Sequence, residues 1–199
     1  TEWQEKIHTD PVTGEKHIAD VKTASELVIE FQHSAIQLAE IKSREAFYKN
    51  MVWVVDGTRL KRDYPRFCKS FSDIRPVGVP GFFRAFFPDE CLPTSWLASS
   101  VPVYFDFRGS DPVNEQDERR SALWCLFPER IDGHAILAGV RREQFLELSS
   151  ITPHLLFARE CLSNIAKLSQ MQREQSANDA LLRRRLNTYP RYARRHRRL

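Results

Sequence analysis

Apolar and polar positions fall into short blocks along the first sixty residues. His17 to Val21 and Leu27 to Gln32 are β-branched or apolar runs around the polar stretch Lys22-Thr23-Ala24-Ser25-Glu26, which predicts a hairpin. Ser34 stands where an N-cap would precede a helix from Ala35 to about Lys49. Met51 to Val55 is continuously apolar and ends at Asp56-Gly57, the pattern of a buried strand followed by a turn. Further strands are expected at Val101 to Phe107, Leu123 to Phe127 and His134 to Val140. Thr152 with Pro153 behind it marks a helix start. Leu155, Ala158, Leu162, Ile165 and Leu168 then recur at helical spacing and predict a helix packed on the body. Between these blocks, Lys69 to Ser100 holds Pro76, Pro80, Pro88 and Pro93 with Gly78 and Gly81. That density of breakers predicts an irregular insertion, roughly residues 58–100, in which Phe82, Phe83, Phe86, Phe87 and Trp96 need somewhere to pack. Asp111 to Arg120 reads as a polar loop. The sum is a mixed α/β domain with hairpin, helix and strand in that order at its front.

Composition narrows the class. Of 199 residues, 42% are AVILMFWYC and 28% are charged, a soluble globular mixture. No run approaches the ~18 apolar residues of a membrane span, so no membrane partner is expected. The chain starts at Thr1 with no apolar leader behind it, which reads as a fragment without a secretory signal. Cys68, Cys91, Cys125 and Cys161 form no C-x-x-C pair, so reduced thiols and a cytoplasmic setting are expected. Charge is uneven. Eight arginines (Arg183, Arg184, Arg185, Arg191, Arg194, Arg195, Arg197 and Arg198) follow the last acid, Asp179, so a chain of net charge +4 has −4 in residues 1–179. The expected division is a domain over 1–179 and a basic helix end and tail over 180–199. An all-arginine block with Tyr189 and Tyr192 suits nucleic-acid phosphates, while a solvated tail without a partner is the bland alternative.

The chemistry lies at the front. Strand side chains alternate, so Glu30 and Gln32 share one face while Ile29 and Phe31 are expected in the core. Asp20, on the preceding strand, reaches the same spot across the hairpin. Two carboxylates converging at a sheet end make a hard oxygen site for Mg²⁺, to which a backbone carbonyl, that of Phe31, adds a third ligand. Such an ion polarises a phosphodiester and lowers the pKa of a bound water. Alone, an Asp and a Glu followed at two residues by Lys or Gln arises about once per chain by chance.

Four linked stretches add specificity. Ile18-Ala19-Asp20-Val21, Val28-Ile29-Glu30-Phe31-Gln32-His33-Ser34, Arg44-Glu45-x-x-Tyr48 and Val52-Trp53-Val54-Val55-Asp56 resemble the nuclease core of the CoiA-like competence proteins, of the PD-(D/E)XK, restriction-endonuclease-like superfamily. The likeness is close over residues 15–57 and extends more loosely to Val103-Tyr104-Phe105-Asp106 and Arg141-Arg142-Glu143-Gln144-Phe145. It implies a restriction-endonuclease-like α/β core, a mixed central sheet flanked by helices, with the insertion and a C-terminal helix plus basic tail. It also implies Mg²⁺, with Mn²⁺ able to substitute, at Asp20 and Glu30. Gln32 takes the usual Lys position, as the family commonly shows, and removes a positive charge that would stabilise the transition state. The family's additional acid on a preceding helix has only Glu2 and Glu5 as candidates here.

Arg44 and Tyr48 are four apart on the predicted helix and share a stripe with Gln37 and Ile41. This is similar to the Gln-x-x-x-Tyr element of related nucleases and is expected to contact phosphate beside the metal. His33 is turned from Glu30 by strand parity, and His8 and His17 lack metal-ligand spacing. Two functions stay open: a Mg²⁺-dependent deoxyribonuclease, or a catalytically weak or inactive DNA-binding accessory of recombination or DNA uptake. For the second the resemblance implies single-stranded DNA and a RecA-type recombinase as partners.

Overall fold

The computed structural model describes residues 6–9, 16–48, 50–109, 117–151 and 156–188. β1 (Lys6–Thr9) pairs antiparallel with β2 (Lys16–Ala19) in a small ribbon. Among the described residues eight further strands form one sheet: β3 (Val21–Lys22), β4 (Val28–Gln32), β5 (Met51–Asp56), β6 (Ile74–Pro76), β7 (Phe82–Ala85), β8 (Val103–Asp106), β9 (Ala122–Ile131) and β10 (His134–Arg141). Their order across the sheet is β3-β4-β5-β8-β9-β10-β7-β6. β4, β5 and β8 run parallel, and every other pairing is antiparallel. The helices are α1 (Leu38–Phe47), α2 (Asp63–Ser70), α3 (Pro88–Cys91), α4 (Glu118–Ser121), α5 (Arg142–Ile151) and α6 (Leu156–Thr188).

Helices cover both faces, so the parallel strands are buried on both sides and read as unbroken apolar runs. Trp53 and Val55 of β5 join Ile41 of α1 and Tyr64 and Phe67 of α2 in one core. Val52 and Val54 join Phe145 of α5 and Cys161, Leu162 and Ile165 of α6 in the other. Phe67 stacks on Phe107 at 4.8 Å and meets Trp124 at 5.0 Å, ring contacts that add to the burial of each side chain. Gly57 turns the chain after β5 against this cluster. A Cβ there would stand 2.4 Å from Phe107 Cδ1, so only glycine fits. The result is the mixed sheet flanked by helices that a restriction-endonuclease-like core requires.

The strand blocks behave as the pattern predicts, and several boundaries do not. The first run of the hairpin breaks at Asp20, so β3 alone pairs with β4, through Val21 and Ile29. Ser34 caps no helix. α1 starts at Leu38 with Gln37 before it and no side-chain cap, because the Ser34 hydroxyl accepts from Gln32 instead. Residues 58–100 are more than an irregular insertion. They supply α2 to the core, and β6 and β7 to the sheet, where β7 pairs with β10 and β6 with β7. Phe82 and Trp96 are buried there, yet Phe87 is exposed and Phe86, exposed too, meets only the His134 ring edge-on at 4.6 Å among the ring contacts of the described residues. Glu118–Ser121 forms a short helix within the expected 111–120 loop, whose residues 111–116 lie outside the described ones. Thr152, Pro153 and Leu155 lie outside them too, while Leu162 and Ile165 pack as expected. All four cysteines are free. Among the described residues no helix is long and apolar enough to cross a membrane.

Candidate active site

The pairing of β3 with β4 ends at Val21, and one residue before it the chain bends at Asp20. The Phe31 N–H, left beyond the end of that pairing, donates to Asp20 Oδ2 at 2.7 Å. On the other edge of β4 the Val28 N–H donates to Asn50 O at 2.9 Å. Backbone groups of residues two apart face the same edge. The amides of Val28, Glu30 and Gln32 therefore face β5, and the Phe31 carbonyl opens to the edge where Asp20 sits.

Glu30 lies on the α1 face of the sheet and is 1% exposed. Its Oε2 accepts from Arg44 Nη1 at 2.6 Å, and Arg44 Nε donates to Glu40 Oε1 at 2.7 Å. The guanidinium thus bridges a helix-surface acid and a buried strand acid. Burial works to lower the Arg44 pKa, but the hydrogen bond to Glu40 and the charges of both glutamates outweigh it, and the net shift is upward. Tyr48, buried just past the end of α1, has its phenol pushed up to about 12, first by burial and then by the negative charge of Glu30. Asp20 acts on it in the same direction and Arg44 in the opposite one, so all three charges reach this hydroxyl. Gln32 Nε2 donates to Ser34 O at 2.9 Å and to Ser34 Oγ at 3.0 Å.

The expected site residues therefore fall into three groups. Asp20, Glu30, the Phe31 carbonyl, Arg44 and Tyr48 come together, with Gln32 at the end of the same strand. Glu2, Glu5, Arg191, Arg194 and Arg195 lie outside the described residues, and Arg183, Arg184 and Arg185 are exposed near the end of α6. Two expectations about orientation are corrected. Phe31 is 42% exposed, because the α5–α6 layer covers Ile29 and leaves the next residue on that face open. Glu30 points into the α1 interface rather than away from the core, which is why it needs a counter-ion. His33 Nδ1 stands 3.9 Å from Asp56 Oδ2 and is mostly exposed. Among the described residues no group of three or more His, Cys, Asp or Glu side chains converges on one point.

Sequence reading missed three groups. Arg44 has acidic partners on both the helix and the strand; the Glu40–Arg44 spacing signalled only the first. Glu45, buried one residue on, accepts from Trp53 Nε1 (3.1 Å), Ser99 Oγ (2.6 Å), Ser100 N (2.9 Å) and Ser100 Oγ (2.7 Å). Asp56 and Asp106 sit side by side at the carboxyl ends of β5 and β8, with Arg142 donating to Asp106. Their signal was visible, since both strand runs end in Asp. A cleft of about 230 Å³ opens at this end, lined by Ser34, Asp56, Arg59, Asp63, Trp96 and Phe105 among others.

Comparison with known proteins bears on the same segment. No curated protein and no solved structure matches the chain. Residues 17–73 match the family model for the competence protein CoiA, nuclease-like domain, a span that runs from β2 through β3, β4, α1, β5 and α2. Residues 17–73, with Asp20, Glu30 and Arg44 inside them, are therefore similar to the nuclease-like domain of the CoiA competence proteins.

Proposed function

We propose that this chain is a metal-dependent deoxyribonuclease whose working edge is formed by Asp20, Glu30 and Gln32. The observation that carries the reading is the fold-back of Asp20 onto the Phe31 N–H, one residue past Glu30. It brings Asp20 against the backbone of β4 one residue from Glu30, whose side chain lies on the α1 face of that strand. These donors are all hard oxygens, which suit Mg²⁺ or Mn²⁺ rather than a softer ion. The residues also fit a cation in charge, since Glu30 already takes a guanidinium at 2.6 Å. Two carboxylates suit Mg²⁺ in particular, which is commonly bound through one or two carboxylates together with substrate phosphates.

When bound, the ion supplies polarisation of the phosphodiester and a water of lowered pKa. Asp20 and Glu30 would hold it, and the Phe31 carbonyl would add a third oxygen. Arg44 neutralises Glu30 and offers its remaining donors to a phosphate oxygen. Tyr48 stays protonated at neutral pH, so its hydroxyl acts as a donor near the two acids. Ser34 holds the Gln32 NH₂, which leaves the amide oxygen to accept from the attacking water.

A second reading rests on that same Gln32. It carries no charge to stabilise a developing negative phosphorane, and its NH₂ is already engaged. The chain would then be a DNA-binding accessory that keeps a nuclease scaffold, with single-stranded DNA and a RecA-type recombinase as its partners. Single- and double-stranded DNA incubated with the protein and Mg²⁺ or Mn²⁺ separates the two. Cleavage that is lost in Asp20→Ala and Glu30→Gln, together with calorimetric Mn²⁺ binding lost in both, supports the nuclease. Binding of DNA with no cleavage under either metal supports the accessory.

A further inference from the structure

The three parallel strands end in step. Gln32 of β4 lies beside Val55 of β5, and Asp56 beside Asp106 of β8. Carboxyl ends of parallel strands are where open α/β sheets bind ligands. The loops leaving β5 and β8 are tied together there: Gly57 N–H donates to Asp106 O at 2.8 Å, and Thr58 lies against Gly109.

The loop from β5 to α2 reads Thr58-Arg59-Leu60-Lys61-Arg62, and its three cations are exposed. None of the three forms an ion pair with a carboxylate among the described residues. The acids around them are engaged elsewhere. Asp56 Oδ1 accepts from Thr58 N at 2.8 Å and Thr58 Oγ1 at 2.6 Å. Asp106 accepts from Arg108 N and from Arg142, and Asp63 pairs with Arg66 at 3.4 Å. Three cations on one short loop, beside acids that already have partners, leave a local excess of positive charge. A protein surface of this kind attracts phosphates.

The loop also has a position. Arg59 walls the cleft whose other side is Ser34, and Ser34 holds Gln32. β4 and β5 are one strand spacing apart, about 5 Å. Ser34 and Arg59 thus line one cleft at the carboxyl ends of β4 and β5, beside Gln32.

We propose that Arg59, Lys61 and Arg62, with the cleft between Arg59 and Ser34, form a phosphate-binding track that carries a DNA strand past the Asp20–Glu30 edge. The inference rests on the reading that this edge acts on DNA, in either its catalytic or its accessory form. A track made of backbone contacts reads no sequence and acts through counterion release.

The test uses the full chain in EDTA, with labelled single-stranded and duplex oligonucleotides read by fluorescence anisotropy across a salt series. Arg59→Ala/Lys61→Ala/Arg62→Ala is compared with Lys69→Ala/Arg159→Ala/Lys167→Ala, which removes the same charge from exposed positions elsewhere. The loop variant should bind more weakly. Its slope of log affinity against log salt should fall by about 2 on single strands, or about 2.7 on duplex, for three lost contacts. The substrate with the larger change identifies the form the track carries. An unchanged slope in the loop variant, or an equal fall in the control, overturns the track. Turnover plays no part in this measurement. A protein that never cuts but shows the loop effect loses the nuclease reading alone, and one that cuts with an unaltered slope loses the track alone.

Discussion

A carboxylate as deeply buried as Glu30 needs a positive partner, and α1 provides Arg44 at 2.6 Å. Removing one member of a buried pair typically costs about 3–5 kcal/mol, because the other charge is left without compensation. Arg44 is 29% exposed, so the lower end applies. Arg44→Ala should lose about 3 kcal/mol in urea unfolding with EDTA present. A divalent cation held by Asp20 and Glu30 would take over as counter-ion, so Mn²⁺ should recover more stability in the variant than in the parent. Loss below about 1 kcal/mol, or equal gain from Mn²⁺ in both proteins, would remove Arg44 from this role. The approach of Asp20 to the Glu30–Gln32 strand was legible in the sequence because a short turn is local. The partner of Arg44 was not. Helical spacing says which neighbours share a helix face, as with Glu40, but not which strand that face covers.

Among the elements, α1 is the one that aims the site, and Glu45 fixes its angle. This acid is buried without a cation, yet two hydroxyls, an indole N–H and a backbone N–H donate to it. The bonds run from α1 to β5 and to the segment before β8, one residue from Arg44. Glu45→Ala would strand those donors, and hydrogen bonds to a charged group are worth about 1.5–3 kcal/mol. The expected loss is about 3 kcal/mol in stability, with Mn²⁺ affinity falling as well because Arg44 and Glu30 lose register. Wild-type metal affinity in a folded Glu45→Ala protein would show that α1 is positioned by its apolar face alone. The same scale shows where a one-dimensional reading stops. Buried strands such as Met51–Asp56 were plain, since a run buried on both sides is apolar throughout. β6 and β7 were hidden, because Pro76, Pro80, Gly78 and Gly81 read as breakers while the strands exist through the pairing of β7 with β10 and of β6 with β7. The start of α1 moved for a related reason: the capping hydroxyl of Ser34 was taken by Gln32.

Across the whole molecule, α6 decides where the basic charge is displayed. Its 33 residues span about 50 Å. Cys161, Leu162 and Ile165 pack on the sheet, and Ser169 and Arg173 tie the helix to Arg84 and Asp132. Every residue from 174 to 185 is exposed. Arg183, Arg184 and Arg185 thus stand about three helical turns beyond Arg173, where their charge also suits the carboxyl end of the helix dipole. With −4 on residues 1–179 and eight arginines after them, long-range attraction to DNA should come mainly from this arm. Deletion after Asp179 should weaken binding to all sequences alike and flatten the salt dependence, by about 0.7 per lost contact on single strands and about 0.9 on duplex. Mn²⁺ binding at Asp20 and Glu30 should be unchanged, since the α6 residues packed on the sheet, Cys161, Leu162 and Ile165, all precede the deletion. The competing arrangement has the arm folded onto the acidic body and screening it, in which case deletion leaves DNA affinity unchanged or raises it. The exposure of Arg183 to Arg185 on a helix leading outward speaks for the first arrangement. A truncated protein whose salt slope equals that of the full chain would decide for the second.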